Sequence, residues 1–255
     1  MKYLLAKNCR FSRHDAYGFT LVELLVSMLI ALFLLGGLLT IVQNTRTTFG
    51  NQNQLAQLQD NQRLAMTFIA NVVETGGYYP NPMSNDPNAV FPLSGALVAG
   101  QTFFGTRNSV APGDSITVRY AAAQNENVFN CRGTQSAVVP YDTFVNKLWI
   151  NNNGQLTCTF SGKAAGPVDV ALVNNVQNLQ IMYGVQRNGA AATGSCTDTY
   201  LSADLMSGAD WSNVCSVTLT LIFNRPDPNA PVSPSNKTTS ITRVVAVMNK
   251  AGVNS

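Results

Sequence analysis

The sequence predicts an α+β protein: one long N-terminal helix, apolar in its first half and amphipathic in its second, packed on an antiparallel β-sheet head. Three observations carry this reading. Residues 19–42 form an apolar stretch whose single charged residue is Glu23. Beyond it, Leu55, Leu58, Gln62, Ala65, Phe68 or Ile69, and Val72 recur at three- and four-residue steps, the spacing of one buried helix stripe. From Ser115 onward the chain turns to β-branched and aromatic runs separated by Asn-, Gly- and Ser-rich inserts.

The first half of the helix has the length of a membrane span. Its 24 residues would extend about 36 Å at 1.5 Å per residue, against a hydrocarbon core of about 30 Å. A buried helix of a soluble protein is the alternative, and the length and absence of further charge argue against it. Gly36-Gly37 marks a bend or a close helix contact, or is simply tolerated, as glycine often is in membrane helices. Glu23 is costly in hydrocarbon without a cation, which makes it a functional candidate. Lys2, Lys7, Arg10 and Arg13 upstream read as a cytoplasmic flank.

The helix is expected to run from about Phe19 to Thr75, because no proline precedes Pro80 and Gly76-Gly77 supplies a stop that Tyr78-Tyr79-Pro80-Asn81-Pro82 cannot extend. Residues 80–113 read as a long connection holding a short strand or turn. Strands are expected over 115–121, 147–150 and 155–160, the last two joined by a hairpin at Asn151-Asn152-Asn153-Gly154. Further strands are expected over 176–185, 216–224 and 241–248, with loops between.

Gly18-Phe19-Thr20-Leu21-Val22-Glu23, leading directly into a long apolar helix, resembles the class III signal of type IV pilins and pseudopilins. The resemblance implies cleavage between Gly18 and Phe19 by a membrane prepilin peptidase and N-methylation of the new Phe19 amine. It also implies that the apolar stretch stays in the mature protein, whereas a secretory signal loses its apolar core. The domains implied are a leader over 1–18, a transmembrane half over 19–42, an amphipathic half over 43–77 and a head over 78–255. Asp60-Asn61-Gln62-Arg63-Leu64-Ala65, Gly76 to Pro80, Val176 to Val185, and Tyr200, Trp211, Asn213 and Val214 resemble the PilW branch of minor pilins. Residues 83–165 carry no matching motif.

What this resemblance implies is a type IV pilin fold and a structural subunit without cofactor, taking part in initiation or tip assembly of a pilus. The implied partners are the prepilin peptidase, other minor pilins, the major pilin and inner-membrane lipid. The implied location is a single-pass inner-membrane protein with a periplasmic head, then the filament at the cell surface. A minor pseudopilin of a type II secretion system shares these features, and a tip-located module for DNA uptake or adhesion is a reading from another class. Within the assembly reading, Glu23 pairs with the amine of a neighbouring subunit; partial pairing with its own Phe19 amine is the simpler alternative.

Composition narrows the chemistry. Charged residues make up only 11% of the chain, and the formal charge of +3 disappears on removal of residues 1–18, which leaves 12 of the 16 basic and 12 of the 13 acidic residues. A broadly basic nucleic-acid surface is therefore unsupported, although Arg107, Arg119 and Arg132 could form a local strip. The same cut removes His14, the only histidine, and with it Ser-His-Asp, Cys-His and His-ligated zinc chemistry. Carboxylate-pair chemistry rests on Asp114, Glu126, Asp142 and Asp169, whose spacing does not set them apart from loop acids. An enzyme is not expected.

Cys9 lies in the leader, and Cys131, Cys158, Cys196 and Cys215 lie beyond the membrane. An even number in an oxidising compartment points to two disulfides; three pairings exist, and the sequence-local Cys131–Cys158 and Cys196–Cys215 are favoured. A zinc site is the alternative, without CxxC spacing to support it. Asp198, Asp204 and Asp210 are weak calcium candidates, since their six-residue spacing lacks the close clustering of a calcium loop. Trp149 and Trp211 read as core or sheet-face aromatics rather than ligand platforms.

Overall fold

The computed structural model describes residues 18–110, 112–163, 165–187, 196–224 and 238–251. Residues 1–17, including Cys9, His14 and the four basic residues upstream of Gly18, lie outside them. The chain forms two compact units, Met1–Gln52 and Asn53–Ser255, and helix α1, Leu21–Glu74, contributes to both.

Within the first unit, α1 carries apolar residues on every face from Leu21 to Val42, with Glu23 its one charge, and every residue of this stretch is exposed. A helix without a polar face has no aqueous solution to its burial problem, and this one is long and apolar enough to cross a membrane. Its few hydroxyls are answered inside the helix: Ser27 Oγ donates to the Leu24 carbonyl (2.9 Å) and Thr40 Oγ1 to the Gly36 carbonyl (3.0 Å). This removes the cost of an unpaired donor in hydrocarbon. Apart from the helix's own backbone, nothing among the described residues lies within 4 Å of a Cβ built on Gly36 or Gly37, so neither glycine serves a contact with another part of the described chain.

In the second unit the last turns of α1 bury Leu58, Ala65, Met66, Ile69, Ala70, Val72 and Val73. Of the two expected alternatives Ile69 takes the core position and Phe68 is half-buried, while Leu55 is exposed, so the buried stripe begins a turn later than its spacing suggests. The stop is built as expected. Gly77 has φ +78°, and Gly76 lies so close to Phe103 that a Cβ would fall 2.2 Å from its ring.

Among the described residues the head contains two antiparallel sheets rather than the single sheet expected. The first is an up-and-down meander of β1 (Phe103–Thr106), β2 (Ser115–Ala123), β3 (Tyr141–Ile150), β4 (Leu156–Gly162) and β5 (Ala165–Val173), in that order. The second comprises β6 (Val176–Val185), β7 (Thr199–Leu201), β8 (Val214–Asn224) and β9 (Thr238–Ala246), ordered β7-β6-β8-β9. One hydrophobic core joins both sheets to α1, with Ile116, Val118, Phe144, Leu148, Leu156, Leu179, Ile181, Tyr183, Leu219 and Leu221 all buried.

The differences from expectation have physical causes. β3 begins at Tyr141, six residues early, because its inward positions include the polar Asp142 and Asn146 beside Phe144 and Leu148, which blur the apolar alternation. β5 is an additional strand between the expected ones; it carries Pro167 at the edge of the sheet, where a missing N–H costs no ladder bond. The 80–113 connection holds β1 and also a short helix, α2 (Pro87–Val90), capped by Asp86. Another short helix, α3 (Gly208–Ser212), starts on a Ser207/Asp210 capping box. The last strand ends at Ala246 instead of 248, and α4 (Met248–Ala251) follows it.

Candidate functional site

Gly18 and Phe19 stand just ahead of α1 with Phe19 83% exposed and open space around Gly18. Thr20 Oγ1 accepts a hydrogen bond from the Glu23 backbone N–H at 3.3 Å. Thr20 and Glu23 thus hold the positions of a capping box, and the carboxylate sits in the first turn, where the helix dipole favours negative charge. Its side chain is exposed, and among the described residues no cation comes within ion-pair distance of it. The capping role escaped the sequence reading, although Thr-x-x-Glu is its pattern.

Disulfides join Cys131 to Cys158 and Cys196 to Cys215, the sequence-local pairs. The first ties the 124–140 connection to β4, the second ties the loop before β7 to β8. Closing loops with sequence separations of 27 and 19 stabilises by roughly 3 to 4 kcal/mol each in the chain-entropy model. Replacing Cys131 and Cys158 together with serine is expected to lower unfolding stability by about 3 kcal/mol, read from urea unfolding of the oxidised protein. A variant indistinguishable from wild type would show that this bridge does not constrain the head.

The three aspartates considered for calcium are spread over separate anchoring contacts. Asp198 accepts from the Arg187 backbone N–H at 3.1 Å. Asp204 accepts from Ser202 Oγ at 2.6 Å and pairs with Arg107 at 3.3 Å. Asp210 is buried and takes a forked pair of bonds from Arg187, Nε at 3.0 Å and Nη2 at 2.7 Å, with Ser207 N–H and Oγ on the same carboxylate. The Arg187 hydrogen bonds hold the Asp210 carboxyl well below the usual range, against the opposing effect of burial. Among the described residues no group of three or more His, Cys, Asp or Glu side chains is placed to hold a metal ion.

The three arginines do not make a strip. Arg119 is 1% exposed, and its guanidinium donates to the carbonyls of Pro92 (2.6 Å), Val98 (2.7 Å) and Gln101 while lying over the Phe91 ring. Burial lowers its pKa to about 10, so it stays charged at neutral pH. Arg107 is engaged by Ser202 and Asp204, and only Arg132 stands exposed without an ion pair. Nothing in the local sequence marks Arg119 as internal, because its role depends on the 91–101 loop folding back over the outer face of β2.

The carboxylates considered for catalysis serve the backbone. Asp114 is buried and accepts from Asn108 N–H (2.9 Å) and Ile181 N–H (2.8 Å), linking the β1–β2 loop to β6 in the second sheet. Asp142 accepts from Lys163 N–H at 2.8 Å, and Glu126 from Ala123 N–H at 2.8 Å; Asp169 is exposed on β5. Trp211 is buried against Tyr183 and Phe104, and Trp149 Nε1 donates to Thr159 Oγ1, so both tryptophans are structural.

Residues 144–251 match the family model described as Type IV Pilus-assembly protein W, and residues 13–39 match the prokaryotic N-terminal methylation motif. No curated protein matches the chain. Among solved structures, the chain is similar to the Type IV-like pilin TTHA1219 from Thermus thermophilus, at 15% identity and a TM-score of 0.45, covering 76% of this chain and 97% of that one. The family matches fall on the apolar helix start and on the strands from β3 to β9, and the role they carry is structural rather than enzymatic. With a methylation-motif match at one end and a PilW match over residues 144–251 at the other, the chain is similar to type IV pilins of the PilW type.

Proposed function

We propose that this chain is a minor pilin that takes part in initiating or capping a type IV pilus. The observation that carries the reading is the start of α1: a small residue, Gly18, an exposed Phe19, and a carboxylate one turn into a membrane-length helix that has no cation of its own among the described residues. Cleavage after Gly18 creates an amine at Phe19, and N-methylation leaves it cationic. In apolar surroundings that amine and the Glu23 carboxylate each lower the cost of the other. A subunit docking beside another completes such a pair, which makes the helix start an association site. The apolar half then anchors the chain in the inner membrane with the head in the periplasm, and the assembled chain moves to the surface filament.

The burial of Arg119 and the pairing of Arg107 leave the DNA-uptake reading without its basic strip. Processing tests the proposal in cells. Replacing Gly18 with leucine is expected to leave the precursor uncleaved in the membrane, seen as a band heavier by the leader, and absent from filaments. Normal cleavage of the Gly18→Leu chain would remove the peptidase from the account.

A further inference from the structure

A cavity of about 620 Å³ opens in the head beside the C-terminal end of α1, lined by Glu74, Tyr78, Tyr79, Pro80, Glu126 and Met248 among others. Of its two carboxylates, one is paired and one is not. Glu74 has Arg243 Nη2 at 3.6 Å. Glu126 spends one oxygen on the Ala123 N–H, and among the described residues no cation reaches its carboxylate. Tyr78 is 39% exposed, and its hydroxyl is pushed up first by burial and then by the charge of Glu126 and a hydrogen bond to it. Pro80, Pro82, Val128, Met248 and the Tyr79 ring supply apolar wall, and Thr75, Asn81 and Asn249 add neutral polar groups.

Electron-rich rings, an uncompensated carboxylate and apolar walls together suit a cation on an alkyl stem, whose methylenes lie on the walls while its charge meets the carboxylate. An anion is repelled by the unpaired Glu126, while Glu74 is already answered by Arg243. A bare metal ion lacks ligands, since the described residues place no triad of acids here. The volume exceeds one side chain and leaves room for the backbone that carries it. We propose that this cavity receives a lysine or arginine side chain from an extended segment of a neighbouring pilin subunit. The source of that side chain rests on the assembly reading above; the cation preference of the cavity does not.

The test uses the full-length chain in detergent micelles and ligand-observed saturation-transfer NMR with three capped tripeptides, Ala-Arg-Ala, Ala-Lys-Ala and Ala-Leu-Ala. The arginine and lysine peptides are expected to bind saturably and the leucine peptide not to bind. Glu126→Gln, which keeps an oxygen for the Ala123 N–H, and Tyr78→Leu should each weaken binding about fivefold. Should either variant fail to fold, the wild-type affinity for the arginine peptide should still fall as salt rises from 0.05 to about 0.5 M. Equal binding of the arginine and leucine peptides, or binding insensitive to Glu126→Gln and to salt, overturns the proposal. Failure here with the chain still present in filaments removes the cavity alone, whereas peptide binding by a chain absent from filaments removes the subunit as the source.

Discussion

Glu23→Ala is expected to leave membrane insertion and leader cleavage intact and to abolish most incorporation into filaments. Removing one member of a buried charge pair leaves the other uncompensated, at a cost of about 3 to 5 kcal/mol. At about 1.4 kcal/mol per tenfold, that corresponds to a loss of roughly two to three and a half orders of magnitude in the docking equilibrium. Co-purification with partner pilins from solubilised membranes reads it. Glu23→Gln separates the two roles available to this side chain, because glutamine also serves in a capping box with Thr20 but carries no charge. The glutamine variant should fail like alanine. Recovery of partners by Glu23→Gln, but not by Glu23→Ala, would make Glu23 a helix cap; full recovery by both would show that it does not determine assembly.

Arg119→Met carries the largest expected effect in the head. The substitution keeps the stem but leaves the carbonyls of Pro92, Val98 and Gln101 without their donor. Stranded buried acceptors cost about 1 to 3 kcal/mol apiece, and partial access of water to the loop brings the expected loss to about 3 to 5 kcal/mol. Urea unfolding of the solubilised chain should show a matching fall in midpoint. Arg119→Lys should restore only part, since an ammonium cannot reproduce the planar fork. A midpoint unchanged in Arg119→Met would mean that the 91–101 loop is held by other contacts.

The helix was legible because its determinants are local. The apolar run, the stripe from Leu58 to Val72 and the Gly76-Gly77 stop lie within consecutive turns, and α1 ends within a residue of the expected place. The strands β6, β4 and β2 were legible for the same reason, since alternation or β-branching is visible inside each. What escaped depends on distant chain. The division into two sheets hangs on pairing choices, such as Ile181 with Leu219 rather than with a β5 residue, that no local pattern encodes. The start of β3 escaped the sequence because Asp142 and Asn146 occupy core positions, where their side-chain oxygens accept from Lys163 N–H and Cys131 N–H of other segments.

The site divides the same way. Gly18, Phe19 and Glu23 are proposed from adjacent residues, whereas the internal use of Arg119 and Asp114 appears only once the 91–101 loop and β6 are in place. Asp198, Asp204 and Asp210 looked like a set because they share one cysteine-bounded loop. In three dimensions the loop is organised around two arginines, Arg187 and Arg107, contributed by β6's end and the β1–β2 connection.

Mass spectrometry of the N-terminus of this chain, recovered from sheared surface filaments, tests the central claim most directly. The account predicts a mature protein that begins with N-methylated Phe19 and retains the whole apolar stretch to Val42. Recovery of an intact Met1, of a cut beyond Val42, or of no chain at all in a filament fraction that contains other pilins would contradict it.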